Sequence, residues 1–142
     1  AMDGNGVWID VSSDGTNRVM RSTDDGAAWS AIAAAAANFW RDVNAGNGVW
    51  VAVSSDGTNR VMQSEDAGLT WASYLAAEQN PWIAVDYASG VWFSVAISGT
   101  NRTMRSVDNG KSWAAVVAAE ANPWISLTAF GNGGFFSDIE RV

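Results

Sequence analysis

The chain has 142 residues, 48% of them apolar and 16% charged, enough for a real core and too apolar for intrinsic disorder. It contains neither Cys nor His, which excludes a disulfide framework, the common zinc, iron and copper sites, and serine–histidine or cysteine–histidine catalysis. A net charge of −7 argues against a nucleic-acid partner, and no apolar run approaches a membrane span of roughly 20 residues.

In chain order, residues 4–12 come first, with the continuously apolar step Val7-Trp8-Ile9. The same register returns as Val49-Trp50-Val51-Ala52-Val53 and as Val91-Trp92-Phe93. Continuous apolarity predicts strands covered on both faces, whereas a sheet with one wet face alternates. A polar loop follows, Ser13-Asp14-Gly15-Thr16-Asn17-Arg18, matched by residues 55–60 and 97–102. The next element is Ser22-x-Asp24-x-Gly26-x-x-Trp29. It recurs as Ser64-x-Asp66-x-Gly68-x-x-Trp71 and Ser106-x-Asp108-x-Gly110-x-x-Trp113, a step of 42 residues.

Residues 31–37 have high helix propensity. Their register nevertheless matches 72–79 and 114–121, which lead into Asn80-Pro81-Trp82 and Asn122-Pro123-Trp124. An isolated helix this short is marginal in water, so an outer strand with a helical turn in the connection is expected. The central copy shows the whole unit: strands over 40–45, 48–54, 59–65 and 70–76, divided by Gly, Asn, Asp and Ser. All nine Trp fall in three registers at the 42-residue step, 8/50/92, 29/71/113 and 40/82/124, so the aromatic load is architectural.

Four antiparallel strands per 42 residues, covered on both faces, is the signature of a β-propeller blade. The expected fold is all-β, a single partial propeller domain over 1–142 holding about 3.4 repeats. Its units are 4–39, 40–81 and 82–123, with a final partial blade at 124–142.

The Ser-x-Asp-x-Gly-x-x-Trp motif resembles the Asp-box, or BNR repeat, of sialidases and other propellers, and all three copies keep its four defining residues. Physically the Asp carboxylate can accept backbone N–H bonds in a tight turn, Gly supplies positive φ, and Trp packs behind. The motif is therefore expected to be a turn staple. A calcium loop fails on ligand count, because carboxylates at alternating positions and a closing Glu are missing. No metal or cofactor is expected.

Residues 4–12 match the second strand of a blade, and so do 131–139. The chain thus supplies strands two to four, two whole blades, then strands one and two. Rings have about 4 to 8 blades. Head-to-tail association is expected to close one, with residues 124–130 of one subunit completing the first blade of another. Two subunits give six blades, with a duplicated second strand at each junction; a longer propeller is the rival reading. The Ala1-Met2 start leaves a removed leader open, and with no signal or transmembrane segment visible the compartment is undetermined.

In a propeller the loops joining strands two to three and four to one share the face that usually binds ligands. Arg18, Arg60 and Arg102 lie there, and the sialidase resemblance invites comparison with an arginine cluster that clamps a carboxylate. These arginines are repeat-equivalent, however, whereas a sialidase draws its triad from non-equivalent positions, and no Tyr falls in a recognisable Tyr–Glu nucleophile pair. Nor do the acidic residues mark the paired carboxylates of glycoside hydrolysis, since most recur with the repeat. Arg41-Asp42 departs from the repeat, standing where Ile83-Ala84 and Ile125-Ser126 stand in the other copies. It reads either as an adjacent ion pair or as ligand contacts lining the channel. Asn101-Arg102-Thr103 is a formal N-glycosylation sequon, relevant only on a eukaryotic secretory route. The expectation is a non-enzymatic binding or scaffold module that recognises a glycan or protein on the loop face. The alternative is a sialidase- or glycosidase-like enzyme or a fragment of one.

Overall fold

The computed structural model describes residues 1–129. The strand expected over 131–139, and with it the end of the last partial blade, lies outside the described residues. Eleven strands form three antiparallel sheets. The first holds β1 (Trp8–Val11), β2 (Val19–Ser22) and β3 (Ser30–Ile32). The second holds β4 (Trp40–Gly46), β5 (Val49–Ser54), β6 (Val61–Ser64) and β7 (Ala72–Tyr74). The third holds β8 (Trp82–Ala88), β9 (Val91–Ala96), β10 (Thr103–Ser106) and β11 (Ala114–Val116). Each sheet is a meander in chain order, and together they are consecutive blades of an incomplete β-propeller.

The first two strands of each full blade are as long as their apolar runs predict, but the outer two are shorter than expected. In the second blade, Asn59 donates its side chain to Ser73 of β7 and Arg60 spends its own on loop carbonyls, and Thr70 and Trp71 belong to the turn before β7. Residues 31–37 form no helix. The strand ends at Ile32, and Ala34, Ala35 and Ala36 run irregularly over the core. The β4–β5 and β8–β9 hairpins turn on Asn47-Gly48 (φ 52° and 79°) and Ser89-Gly90 (φ 54° and 85°). Positive φ at both central positions gives the turn whose twist matches the flanking strands.

The continuous apolarity of β5 comes from burial between two neighbours. Trp50 and Ala52, with Met62 of β6, face the first blade and join Val7, Ile9 and Val19. Val51 and Val53, with Val61, face the third blade and join Trp82, Val85, Trp92 and Met104. Each fully buried Val or Met contributes about 1.5–3 kcal/mol, so the two seams supply much of the folding free energy. Trp92 Nε1 is buried without an acceptor among the described residues. The equivalent Trp8 donates to Asp25 Oδ1 at 3.5 Å, but in the third blade Asn109 Oδ1 already accepts from Asn47 at 2.9 Å.

The three Ser-x-Asp-x-Gly-x-x-Trp turns share one hydrogen-bond scheme. In the second blade, Ser64 Oγ donates to Asp66 Oδ1 at 2.8 Å and accepts from Gly68 N at 2.9 Å. Asp66 Oδ1 also accepts from Thr70 N at 2.9 Å, and Trp71 Nε1 donates to the Gly68 carbonyl at 3.1 Å. Ser22, Asp24, Gly26 and Trp29 repeat these contacts, as do Ser106, Asp108, Gly110 and Trp113. The bond from Ser22, then that from the Ala28 amide, holds the Asp24 carboxyl below its ordinary pKa. Burial acts to raise Asp66 and Asp108, but hydrogen bonds from Thr70 and Ser112 outweigh it and both are lowered.

These turns also fix blade spacing. A Cβ on Gly68 would sit 1.9 Å from Ile9 Cδ1 of the first blade, and one on Gly110 would sit 2.8 Å from Val51 Cγ2 of the second. Gly68 has φ 83°, Gly48 has φ 79°, and nothing lies within 4 Å of a Cβ on Gly48. Gly48→Ala is therefore expected to cost only the left-handed backbone penalty of about 1–2 kcal/mol. Gly68→Ala should cost at least about 1 kcal/mol more, because Ile9 must move. Urea unfolding of the two variants measures the difference; equal losses would contradict the close approach.

Candidate functional site

The loops between the second and third strands and the connections between blades lie together on one face. The connecting contacts are arginine bonds to carbonyls. Arg18 donates Nε to Gly15 O at 2.9 Å and Nη1 to Ser13 O and Asn38 O, each at 2.9 Å. Arg60 does the same to Gly57 O (2.8 Å), Ser55 O (3.2 Å) and Gln79 O (3.1 Å). Arg102 reaches Gly99 O (3.0 Å), Ile97 O (3.5 Å) and Ala121 O (2.9 Å). Each guanidinium thus ties its own loop to the start of the next blade through Nε and Nη1. In Arg18 the Nη2 atom lies 3.9 Å from Asp14.

Two asparagines that the sequence reading did not single out complete the scaffold. Buried Asn38 donates to Asn59 O at 2.8 Å, and buried Asn80 donates to Asn101 O at 2.7 Å. Each sits so close beneath its loop that a Cβ on Gly57 or Gly99 would lie 2.2 or 2.0 Å from the amide oxygen. The available signal was an Asn recurring at 38, 80 and 122, two residues before each inner-strand Trp. The sequon residue Asn101 is itself engaged, its Nδ2 donating to Glu78 Oε2 at 2.6 Å. The Asn101 amide and side chain together hold Glu78 below its ordinary pKa.

At the centre of this face the inner strands are irregular. Pairing with the second strand slips between Trp40 and Asp42 in β4 and between Trp82 and Ala84 in β8, so Arg41 and Ile83 are bulge residues. A bulge re-aims the extra side chain. Arg41, Ile83 and the repeat-equivalent Ile125 line one open recess with Val11, Ser12 and Ser13. Arg41 and Asp42 therefore part company, and the adjacent ion pair is absent. The ion pairs among the described residues are Arg18–Asp14 and Lys111–Glu65.

Asp42 turns instead to the neighbouring inner strand, accepting from Val85 N at 2.9 Å with one oxygen and from Val43 N at 2.9 Å with the other. Asn44 donates to Asp86 at 2.8 Å, and Asp86 accepts from Ala129 N at 2.6 Å. No backbone ladder joins the described inner strands of successive blades, and these side chains bridge them. No group of three or more acidic residues among the described residues has metal-site geometry. No helix among them is long and apolar enough to cross a membrane.

No family model matches the chain, and no curated protein matches it. Solved structures do. YCF48 from Cyanidioschyzon merolae aligns with a TM-score of 0.52 at 17% identity, covering 78% of this chain and 41% of that one. A structure titled YCF48 bound to D1 peptide aligns with a TM-score of 0.49 at 20% identity, covering 78% of this chain and 35% of that one. The chain spans less than half the length of either. At this identity the likeness concerns the fold, an arc of a β-propeller.

Burial of Asp42 raises its pKa, opposed by the Val85 and Val43 amides. The folded state then takes up this proton at a higher pH than the unfolded chain does. The buried charge opposes folding at neutral pH, and that opposition is relieved as pH falls through the raised value towards the ordinary range near about 3.9. The stability of the native chain minus that of Asp42→Asn should accordingly grow as pH is lowered from 7 to 4. Thermal melts across that range check it, and a flat difference would place Asp42 in solvent.

Proposed function

We propose that the chain is a non-enzymatic propeller module that binds a segment of another protein at the recess around Arg41 and associates head to tail to close its ring. One observation carries the binding reading. Inner-strand positions 41, 83 and 125 converge on a single recess, and the repeat is broken there by a cation. Two exposed or half-exposed isoleucines beside a guanidinium that has no ion-pair partner among the described residues suit a peptide that brings an apolar side chain and a carboxylate. A glycan would be better served by stacked aromatic faces and convergent polar groups. Arg18, Arg60 and Arg102 serve in this reading as the frame that holds the loops, and Asp42 fastens the strand beside the bulge that carries Arg41. The Ser-Asp-Gly-Trp turns, read as Asp-boxes, lie on the opposite face and are structural.

Support for ring assembly comes from two residues of the first blade. Met20 is 39% exposed although its equivalents Met62 and Met104 are 0% exposed. Trp8 is likewise only half-buried where Trp50 and Trp92 are fully buried.

Peptide and glycan arrays probed with the chain test the binding reading. Retention of peptides carrying acidic and aliphatic residues is expected, with Arg41→Ala weakening binding about tenfold, about 1.4 kcal/mol. Retention of glycans alone would contradict it. Turnover of a sialoside or other glycoside, abolished by changing Arg18, Arg60 or Arg102, would establish the enzyme instead.

A further inference from the structure

Each seam between blades is built from the same contacts, made twice within the chain. The first is an apolar side chain over a turn glycine: Ile9 over Gly68, and Val51 over Gly110. The second is a long side chain donating to the carbonyl just before that glycine. Arg21 Nε reaches Ala67 O at 2.6 Å, and Gln63 Nε2 reaches Asn109 O at 2.8 Å. The accepting residues have φ 59° and 62°, and the third member of the register, Asp25, has φ 57°. Within a blade, a third contact repeats: the Asn before the inner strand lies under the loop glycine and donates to the loop carbonyl, as Asn38 and Asn80 do.

Among the described residues, continuing the register by 42 residues leaves one unmatched half of each contact at either end of the arc. Phe93 and Arg105 stand on the outer face of the third blade, where Val51 and Gln63 stand on the second. Gly26 and Asp25 stand in the first blade's turn, and a Cβ on Gly26 would meet nothing but its own Trp29. Asn122 makes the local bond to Glu120 at 3.2 Å that Asn80 makes to Glu78. Among the described residues it has no second partner, and a Cβ on Gly15 would have nothing within 4 Å.

We infer that a second copy of this chain supplies the missing halves in that same register. The inference rests on the ring-assembly reading above and specifies its junction. Residues 124–129 of one copy lie along β1 of its partner as the inner strand of a shared blade. Asn122 seats beneath Gly15 of the partner subunit. Phe93 covers Gly26 of the partner subunit, and Arg105 donates to the carbonyl of Asp25 of the partner subunit. Trp8 and Met20 are buried by that contact. Asp10 is the polar exception on this face, standing where Ala52 and Ser94 are buried. Asp10 Oδ1 already accepts from Val11 N at 2.9 Å, and Thr103, in the register of Val19 and Val61, spends its hydroxyl on the Val116 carbonyl. Two copies then share six blades, within the 4 to 8 that rings contain, and three copies would exceed it. A head-to-tail contact that closes on itself in this way makes a finite ring and not a fibre.

Because the chain has no cysteine, engineered thiols report the register directly. Asp25 and Arg105 are both exposed, so Asp25→Cys and Arg105→Cys should fold. Treated with a short bis-maleimide, an equimolar mixture of the two variants is expected to give a covalent pair, and either variant alone none. Phe93→Glu should abolish association while keeping a cooperative melt. Association without Asp25–Arg105 coupling, coupling of Arg105→Cys to itself, or a Phe93→Glu variant that still associates would overturn the junction and leave ring formation standing in another register. Absence of any association in the unmodified chain would overturn both.

Discussion

The seat of Ile9 over Gly68, and of Val51 over Gly110, is the contact on which the architecture depends. Blade must approach blade closely enough to bury Trp50, Val51, Val53 and Met62 to 2% exposure or less, and a side chain on either glycine would hold the sheets apart. The turn around each glycine has to be rigid for that approach to be reproducible. Rigidity is what the Ser hydroxyl, the Asp carboxylate and the Trp indole provide by hydrogen-bonding within the turn. The turn carbonyl then stands in a fixed place, available to Arg21 from the first blade and to the turn-facing Gln63 from the second. Motif, seam and blade spacing are one device.

The same close stacking shapes the opposite face. Outer strands fan apart while inner strands converge, and near the axis the backbone ladders give way to side-chain bridges through Asp42, Asn44 and Asp86. A bulge stands at the same place in β4 and β8, whether or not a carboxylate follows it. In β4 the bulge residue is Arg41, and Asp42 beside it fastens the strand to Val85. The arginines at 18, 60 and 102 brace the surrounding loops by their carbonyls, so the mouth of the recess is presented on a stiff rim.

Much of this was legible in the sequence because a repeat exposes equivalence. The blade count, the order of strands, the double-sided burial of β5 and the turn role of the motif all follow from a 42-residue step read together with apolar runs. Strand ends were less legible. Thr70-Trp71 has good strand character and Asn59-Arg60 leads straight into an apolar run, yet Arg60, Thr70 and Trp71 are spent on loop and turn contacts that only the fold reveals. The Ala-rich stretch after Ile32 misleads in the same way, because its small side chains fit over the core in an irregular path as well as they suit a helix. The bulges were invisible, since a slip of register between Trp40 and Asp42 leaves no mark on composition. For that reason Arg41 and Asp42 looked like a pair when they serve different neighbours. Asn38 and Asn80 were overlooked although their register was plain, because an Asn beside a connection ordinarily signals only a turn.

In the proposed ring a second copy covers both outer faces of the arc. Native mass spectrometry of the chain at micromolar concentration tests this most directly. The account predicts a closed species of two chains, at twice the 15.0 kDa chain mass, with no ladder of larger assemblies. A chain that remains a folded 15.0 kDa monomer would contradict it.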